Sequence, residues 1–182
     1  LYYGVGFNEH NVLMTNRTED YLETPQLCEI ITSNFLGNPI LDVYFCSKFS
    51  IIRALNKKLY AIGNNECFNL GDHTNFNRNT FVESVALNTL IQTYNSNFRD
   101  LILNDFGVIL WLSDRTLYVL GKMDPLFNTT ILKPFSIVNS FLETNDYNIV
   151  KIYNGKGHLK FLLEKDGSME WWGIGQNTYH SM

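Results

Sequence analysis

Apolar residues along this chain come in runs of about five, each stopped by Gly, Asn or Asp, and that pattern predicts β-strands joined by tight turns. Leu1–Gly6, Leu59–Gly63, Leu117–Gly121 and Met169–Gly173 share one form, a short apolar strand closed by glycine. With Gly6, Gly63, Gly121 and Gly173 as markers, the copies lie 57, 58 and 52 residues apart. A period of this size points to a repeat architecture. Before each later copy lies another apolar run that ends in turn residues: Ile51–Leu55 before Asn56-Lys57, Val108–Leu112 before Ser113-Asp114, and Leu159–Leu163 before Asp166-Gly167. Each pair of runs predicts a β-hairpin. Asp-Gly is the strongest of these signals, because a type I′ turn needs positive φ at both central residues.

Further strand candidates are Gln26–Ile31, Phe81–Leu87 and Phe135–Val138, followed by Ile40–Phe45, Leu101–Leu103 and Ile149–Tyr153. Val82–Tyr94 has some helical spacing, but it is rich in Val, Thr and Asn and lacks a cap pair, so it is not read as a helix. The count comes to four short antiparallel strands per unit, which is the arithmetic of a β-propeller blade. The expected organisation is a single all-β domain with units 1–58, 59–116 and 117–168 and an incomplete unit 169–182.

The copy Leu59-Tyr60-Ala61-Ile62-Gly63-Asn64-Asn65-Glu66-Cys67-Phe68-Asn69-Leu70-Gly71-Asp72 resembles the repeat of the regulator of chromosome condensation family. In that repeat a W-G strand leads through N-x-x-G-Q-L-G. The last copy supplies what this one lacks: Gly155-Lys156-Gly157-His158 resembles the family's G-x-x-H element, and Trp171-Trp172-Gly173 its W-G pair. The copies are degenerate. Phe49 and Gly107 stand where His158 keeps the family's histidine, Met14 replaces the glycine kept at Gly71, and Gly121-Lys122-Met123-Asp124-Pro125 has lost most of the loop element. The structural repeat glycines are Gly6, Gly63, Gly71, Gly121, Gly155 and Gly173.

The resemblance implies a seven-bladed ring, of which these residues make about three blades and the start of a fourth. The remaining blades are therefore expected from the parent chain or from another subunit, since an open arc exposes strand edges and apolar faces. It further implies a protein partner, with a small GTPase among the candidates. The roles it suggests are an interaction scaffold, guanine nucleotide exchange without covalent chemistry, or the regulatory propeller of a ubiquitin ligase.

Composition narrows the chemistry. The 182 residues are 45% hydrophobic and 18% charged, with net charge −4 and no Lys/Arg cluster, so nucleic-acid binding through charge is not expected. The apolar run Phe106–Leu112 is far too short to cross a bilayer. Leu1–Gly6 lacks the features of a signal peptide and an initiator Met, as expected of a processed or excised chain. Cys28, Cys46 and Cys67 form no CxxC or metal-spaced cluster and are read as free thiols in an intracellular protein, cytoplasmic or nuclear. Two N-x-S/T sequons, at Asn16 and Asn128, match the roughly three expected by chance in so Asn-rich a chain.

No nucleophile, metal or phosphate-binding motif is present, so neither an enzyme nor a cofactor is expected. Gly4-Val5-Gly6 has no third glycine and is not a dinucleotide fingerprint, and His158, set before an apolar run, is read as structural. Glu143–Asp146 is read as solvated loop charge. Candidate partner contacts are the polar loops Thr15–Glu23, with Glu19 and Asp20, and Asp72–Thr80, with Asp72 and His73. Trp171 and Trp172 join them. Neighbouring strand residues face opposite ways, so one of the two is expected to pack inward.

Overall fold

A computed structural model describes residues 1–35, 37–94, 98–112, 115–155 and 157–175. Their strands form four antiparallel sheets. The first pairs β1 (Tyr3–Phe7) with β2 (Tyr21–Leu27). The second runs in order through β3 (Ile40–Phe45), β4 (Phe49–Ala54), β5 (Leu59–Gly63) and β6 (Arg78–Glu83). The third has the same order in β7 (Phe98–Asn104), β8 (Gly107–Leu112), β9 (Leu117–Met123) and β10 (Phe127–Pro134). The last comprises β11 (Asn148–Gly155), β12 (His158–Lys165) and β13 (Ser168–Gly175). The chain divides into two compact units, Leu1–Leu90 and Ile91–Met182.

The hairpins follow the turn chemistry. Asp166 and Gly167 have φ of 51° and 78°, as a type I′ turn requires. Lys57 takes φ 65° in the turn between β4 and β5, which the Ala54 amide closes by donating to the Lys58 carbonyl. The expected turn at Ser113-Asp114 lies outside the described residues, as does Lys156 of the G-x-x-H element.

Three strand expectations are corrected. Gln26–Ile31 and Phe81–Leu87 each hold a strand end and then a helix start, and Phe135–Val138 follows the end of its strand and opens a helix: α1 (Glu29–Asn34), α2 (Val85–Thr93) and α3 (Ser136–Asn145). Val82–Tyr94, read as non-helical, thus contains α2. The apolar residues were spaced for a helix, since Leu87 and Ile91, and likewise Val138 and Leu142, lie four apart and are buried. The missing cap signal has a physical reason. The starts of α2 and α3 are held by the preceding sheet: the Ser84 amide donates to the Leu59 carbonyl at 3.0 Å, and the Phe135 amide to the Leu117 carbonyl at 2.8 Å.

One helical amide then completes each strand. Asn88 Oδ1 accepts from the Leu59 amide at 2.8 Å while its Nδ2 donates to the Leu59 carbonyl at 3.1 Å. Asn139 repeats the pair on Leu117, at 2.9 and 3.0 Å. Each asparagine side chain therefore mimics a neighbouring strand.

The repeat marker of the last copy also moves. Gly63 pairs with Phe49 and Gly121 with Gly107, whereas His158 pairs with Gly175. Gly6, Gly63, Gly121 and Gly175 share positive φ, at 103°, 118°, 84° and 121°. The structural counterpart is therefore Gly175 rather than Gly173, because the last hairpin is three residue pairs longer.

Each unit has its own core. In the first, Ile52 and Ile62 pack with Met14, Cys28, Ile30 and Ile31. In the second, Ile109, Leu117 and Val119 of one sheet meet Leu159, Phe161 and Leu163 of the next, with Val138 and Leu142 of α3.

Candidate interaction surfaces

After β5 the chain enters a polar loop that its own asparagines organise. Gly63 begins it, because a Cβ there would lie 2.6 Å from the Lys48 carbonyl oxygen and from Phe49 Cα. Asn65 is fully buried and fully used. Its Oδ1 accepts from the Leu70 amide, and its Nδ2 donates to Asp72 Oδ1 at 2.9 Å and the Thr74 carbonyl at 2.8 Å. Asn69, also buried, donates to the Asn64 carbonyl at 2.7 Å. Gly71 turns the chain with φ 70°.

Asp72 is the hub. Its side chain is 7% exposed and accepts from Arg78 Nη2 at 2.6 Å, Arg78 Nε at 2.8 Å and Thr74 Oγ1 at 2.9 Å. Burial pushes this carboxyl up, but the hydrogen bonds from Thr74, Arg78 and Asn65 outweigh it and hold the group below its ordinary range. Asp72 faces into the loop, which corrects its reading as a contact residue. His73 (φ 64°) and Phe76 are among the residues the loop presents to solvent.

Glu19 and Asp20 are exposed, and their backbone carbonyls accept from Asn8, whose side chain also accepts from the Leu13 amide. Asp20, Arg17, Glu29, His10, Asn16 and Asn79 line part of a cavity of about 550 Å³. Its wall includes three non-glycine residues at positive φ, His10, Asn11 and Asn16.

Trp171 and Trp172 do point to opposite faces of β13, yet neither is buried. Trp171 is 61% and Trp172 40% exposed, because β13 is an edge strand among the described residues. Trp172 leans on Phe141 (4.8 Å between centroids) and Tyr147 (5.8 Å), and its Nε1 donates to Glu170 Oε2 at 3.1 Å. Tyr147 donates to the same oxygen at 2.8 Å, and that hydrogen bond raises the phenol's pKa. Trp171 meets Tyr153 on the other face at 5.5 Å. His158 lies between Gly155 and Gly175 in the ladder, and a Cβ on Gly155 would overlap its ring.

Three solved structures match 96% of the chain. Human WBSCR16 has a TM-score of 0.63 at 16% identity, Prp20p from Saccharomyces cerevisiae 0.66 at 16%, and yeast RCC1 (Prp20) in its complex with Kap60 0.66 at 18%. The fold is that of an RCC1-type β-propeller. The chain spans about two fifths of these structures, 43%, 41% and 40% of their lengths. No protein-family model matches the sequence, and no curated protein matches it in sequence.

Within the propeller repeat, sequence reasoning overlooked Asn88 and Asn139. Their shared signal was an Asn four residues into the segment that follows each blade's last strand: Ser84 to Asn88 and Phe135 to Asn139. Among the described residues no His, Cys, Asp or Glu cluster could hold a metal ion, and no helix is long and apolar enough to cross a membrane. No disulfide joins the three cysteines, and Cys28 is buried, its thiol pushed up by that burial.

Proposed function

We propose that this chain is an intracellular protein–protein interaction scaffold, a propeller segment that binds through exposed side chains and performs no covalent chemistry. The observation that carries this reading is the tryptophan pair on β13, with two large aromatics left open to solvent on adjacent strand positions. Exposed tryptophans are enriched where binding energy concentrates. Glu19, Asp20 and His73 add polar contacts from loops set by well-bonded backbones, where function on repeat folds resides. The blades that make up the rest of the solved relatives' length come, on this reading, from the parent chain or another subunit.

Photo-crosslinking amino acids at positions 19, 73 and 171 test it in extracts of the source cells. Adducts with one protein partner are expected from these sites and not from Lys57, at a hairpin turn. The absence of adducts at all three sites overturns the reading. A second reading is nucleotide exchange on a small GTPase, favoured by the likeness to Prp20p, which binds Gsp1p and histones. Accelerated nucleotide release from a small GTPase on addition of the chain would put exchange first. Service as the regulatory propeller of a ubiquitin ligase is the same scaffold role in a longer protein.

A further inference from the structure

The loops that follow β1 and β5 are built on one plan. Asn8 and Asn65 stand at the same step after Gly6 and Gly63. Asn8 Oδ1 accepts from the Leu13 amide at 3.1 Å, as Asn65 Oδ1 does from the Leu70 amide at 2.9 Å. Asn8 Nδ2 donates to the Arg17 carbonyl at 3.2 Å, as Asn65 Nδ2 does to the Thr74 carbonyl at 2.8 Å. The partners lie 5 and 9 residues on in both loops. Their charges differ. The second loop closes its own, Arg78 donating to Asp72. In the first, Thr15 and Tyr21 stand at those two places, and the charges of Arg17 and Asp20 line the cavity of about 550 Å³ instead.

This cavity is framed on each side by the interior of the chain. Its walls are the loop after β1, the helix α1 and the start of β6, all within the unit Leu1–Leu90. No residue of β1 lines it. A strand ahead of Leu1 would join β1 on the edge away from β2, as β4 joins β5 on the edge away from β6, and so away from these walls.

Among the described residues that line the cavity only Ile30 is apolar, and no aromatic ring offers a stacking face to a sugar or a base. The Asp20 and Glu29 carboxylates have no ion-pair partner among the described residues, and the Arg17 side chain reaches only Gln26 Oε1, at 3.5 Å. The Asn16 and Asn79 carboxamides also take no partner among them. Elsewhere in this protein such carboxamides hold extended backbone by its N–H and C=O together, Asn88 on Leu59 and Asn139 on Leu117. An extended main chain laid in the cavity meets the same donors and acceptors in Asn16 and Asn79. Two carboxylates against one guanidinium favour a cationic side chain on that segment.

We infer that this cavity binds an extended basic peptide segment, its main chain held by Asn16 and Asn79 and a lysine or arginine by Asp20 and Glu29. The inference rests on the scaffold reading and assigns its partner chemistry. The probe is a peptide of alternating lysine and alanine, with alternating glutamate and alanine as control, titrated calorimetrically into the whole chain at physiological ionic strength. The basic peptide is expected to bind and the acidic one not. Asp20→Asn combined with Glu29→Gln should weaken binding about tenfold. Glu143→Gln combined with Asp166→Asn, the same loss of charge at exposed positions of the other unit, should leave it within about twofold. A basic probe N-methylated at its alanines lacks half of its main-chain donors and should bind about fivefold more weakly. All four substituted sites are at the surface, and unchanged thermal melts verify that the variants fold. Equal binding of the acidic peptide, equal weakening by the two double variants, undiminished binding of the methylated probe, or no binding overturns the inference. In each of those cases crosslinked partners from positions 73 and 171 would leave the scaffold standing.

Discussion

At single positions, backbone conformation and hydrogen-bond satisfaction decide the cost of change. Gly63 and Gly6 both have positive φ, but only Gly63 faces backbone at 2.6 Å, whereas nothing lies within 4 Å of a Cβ on Gly6. Gly63→Ala should cost about 3 kcal/mol and Gly6→Ala about 1 kcal/mol, compared by urea denaturation. Similar losses would show that the close approach to Phe49 relaxes. Asp72→Ala strands the Arg78 and Asn65 donors and should cost about 2 kcal/mol. The Asp72 carboxyl is held below its unfolded value, so its stabilisation is present above that value, near pH 3.8, and is lost as pH falls through the folded one. Melting temperature should therefore drop on acidification in the wild type, and less so in Asp72→Asn. Parallel curves would remove Asp72 as the loop's anchor.

At the scale of elements, strands and hairpins were readable because their causes are local. Short apolar runs and turn residues such as Asp166-Gly167 are both written in adjacent positions. The helices were not readable in the same way, because α2 and α3 begin on carbonyls of Leu59 and Leu117 instead of on a capping side chain. The glycine marker slipped from Gly175 to Gly173 because Trp172-Gly173 looks like a family pair, while ladder register is settled by hairpin length. Of the candidate contacts, His73, Glu19 and Asp20 are exposed, but the inward turn of Asp72 depends on Arg78 and Asn65 meeting it in space. Asn139→Ala should cost about 1–2 kcal/mol and speed hydrogen exchange at the Leu117 amide specifically. Unchanged exchange there would mean that the Phe135 amide alone secures the strand end. In the same sheet, burial and then the hydrogen bond to Tyr94 push the Tyr118 phenol up to about 12. Its folded value is raised, so this stabilisation holds below pH 10 and fades as pH climbs toward 12. Ultraviolet titration should show one tyrosine ionising last, and Tyr94→Phe should bring that step down.

At the scale of the whole molecule, the chain presents a two-stranded sheet in which Tyr3, Val5, Phe7 and Tyr21 are all exposed. Such a sheet is marginal alone and offers free edges for pairing. These 182 residues should scatter light as a species larger than 21.1 kDa, and Phe7→Lys should reduce that mass. A monomer in both would show that this sheet needs no cover. The asparagine closures carry a consequence for synthesis. Leu59 enters the chain 29 residues before Asn88, so on the ribosome the blade's inner hairpin emerges with its strand end open and waits for a helix not yet translated. A stall or cleavage between Glu83 and Asn88 would release a blade with all four strands but no latch, and quality-control proteases would meet it as an unfinished product.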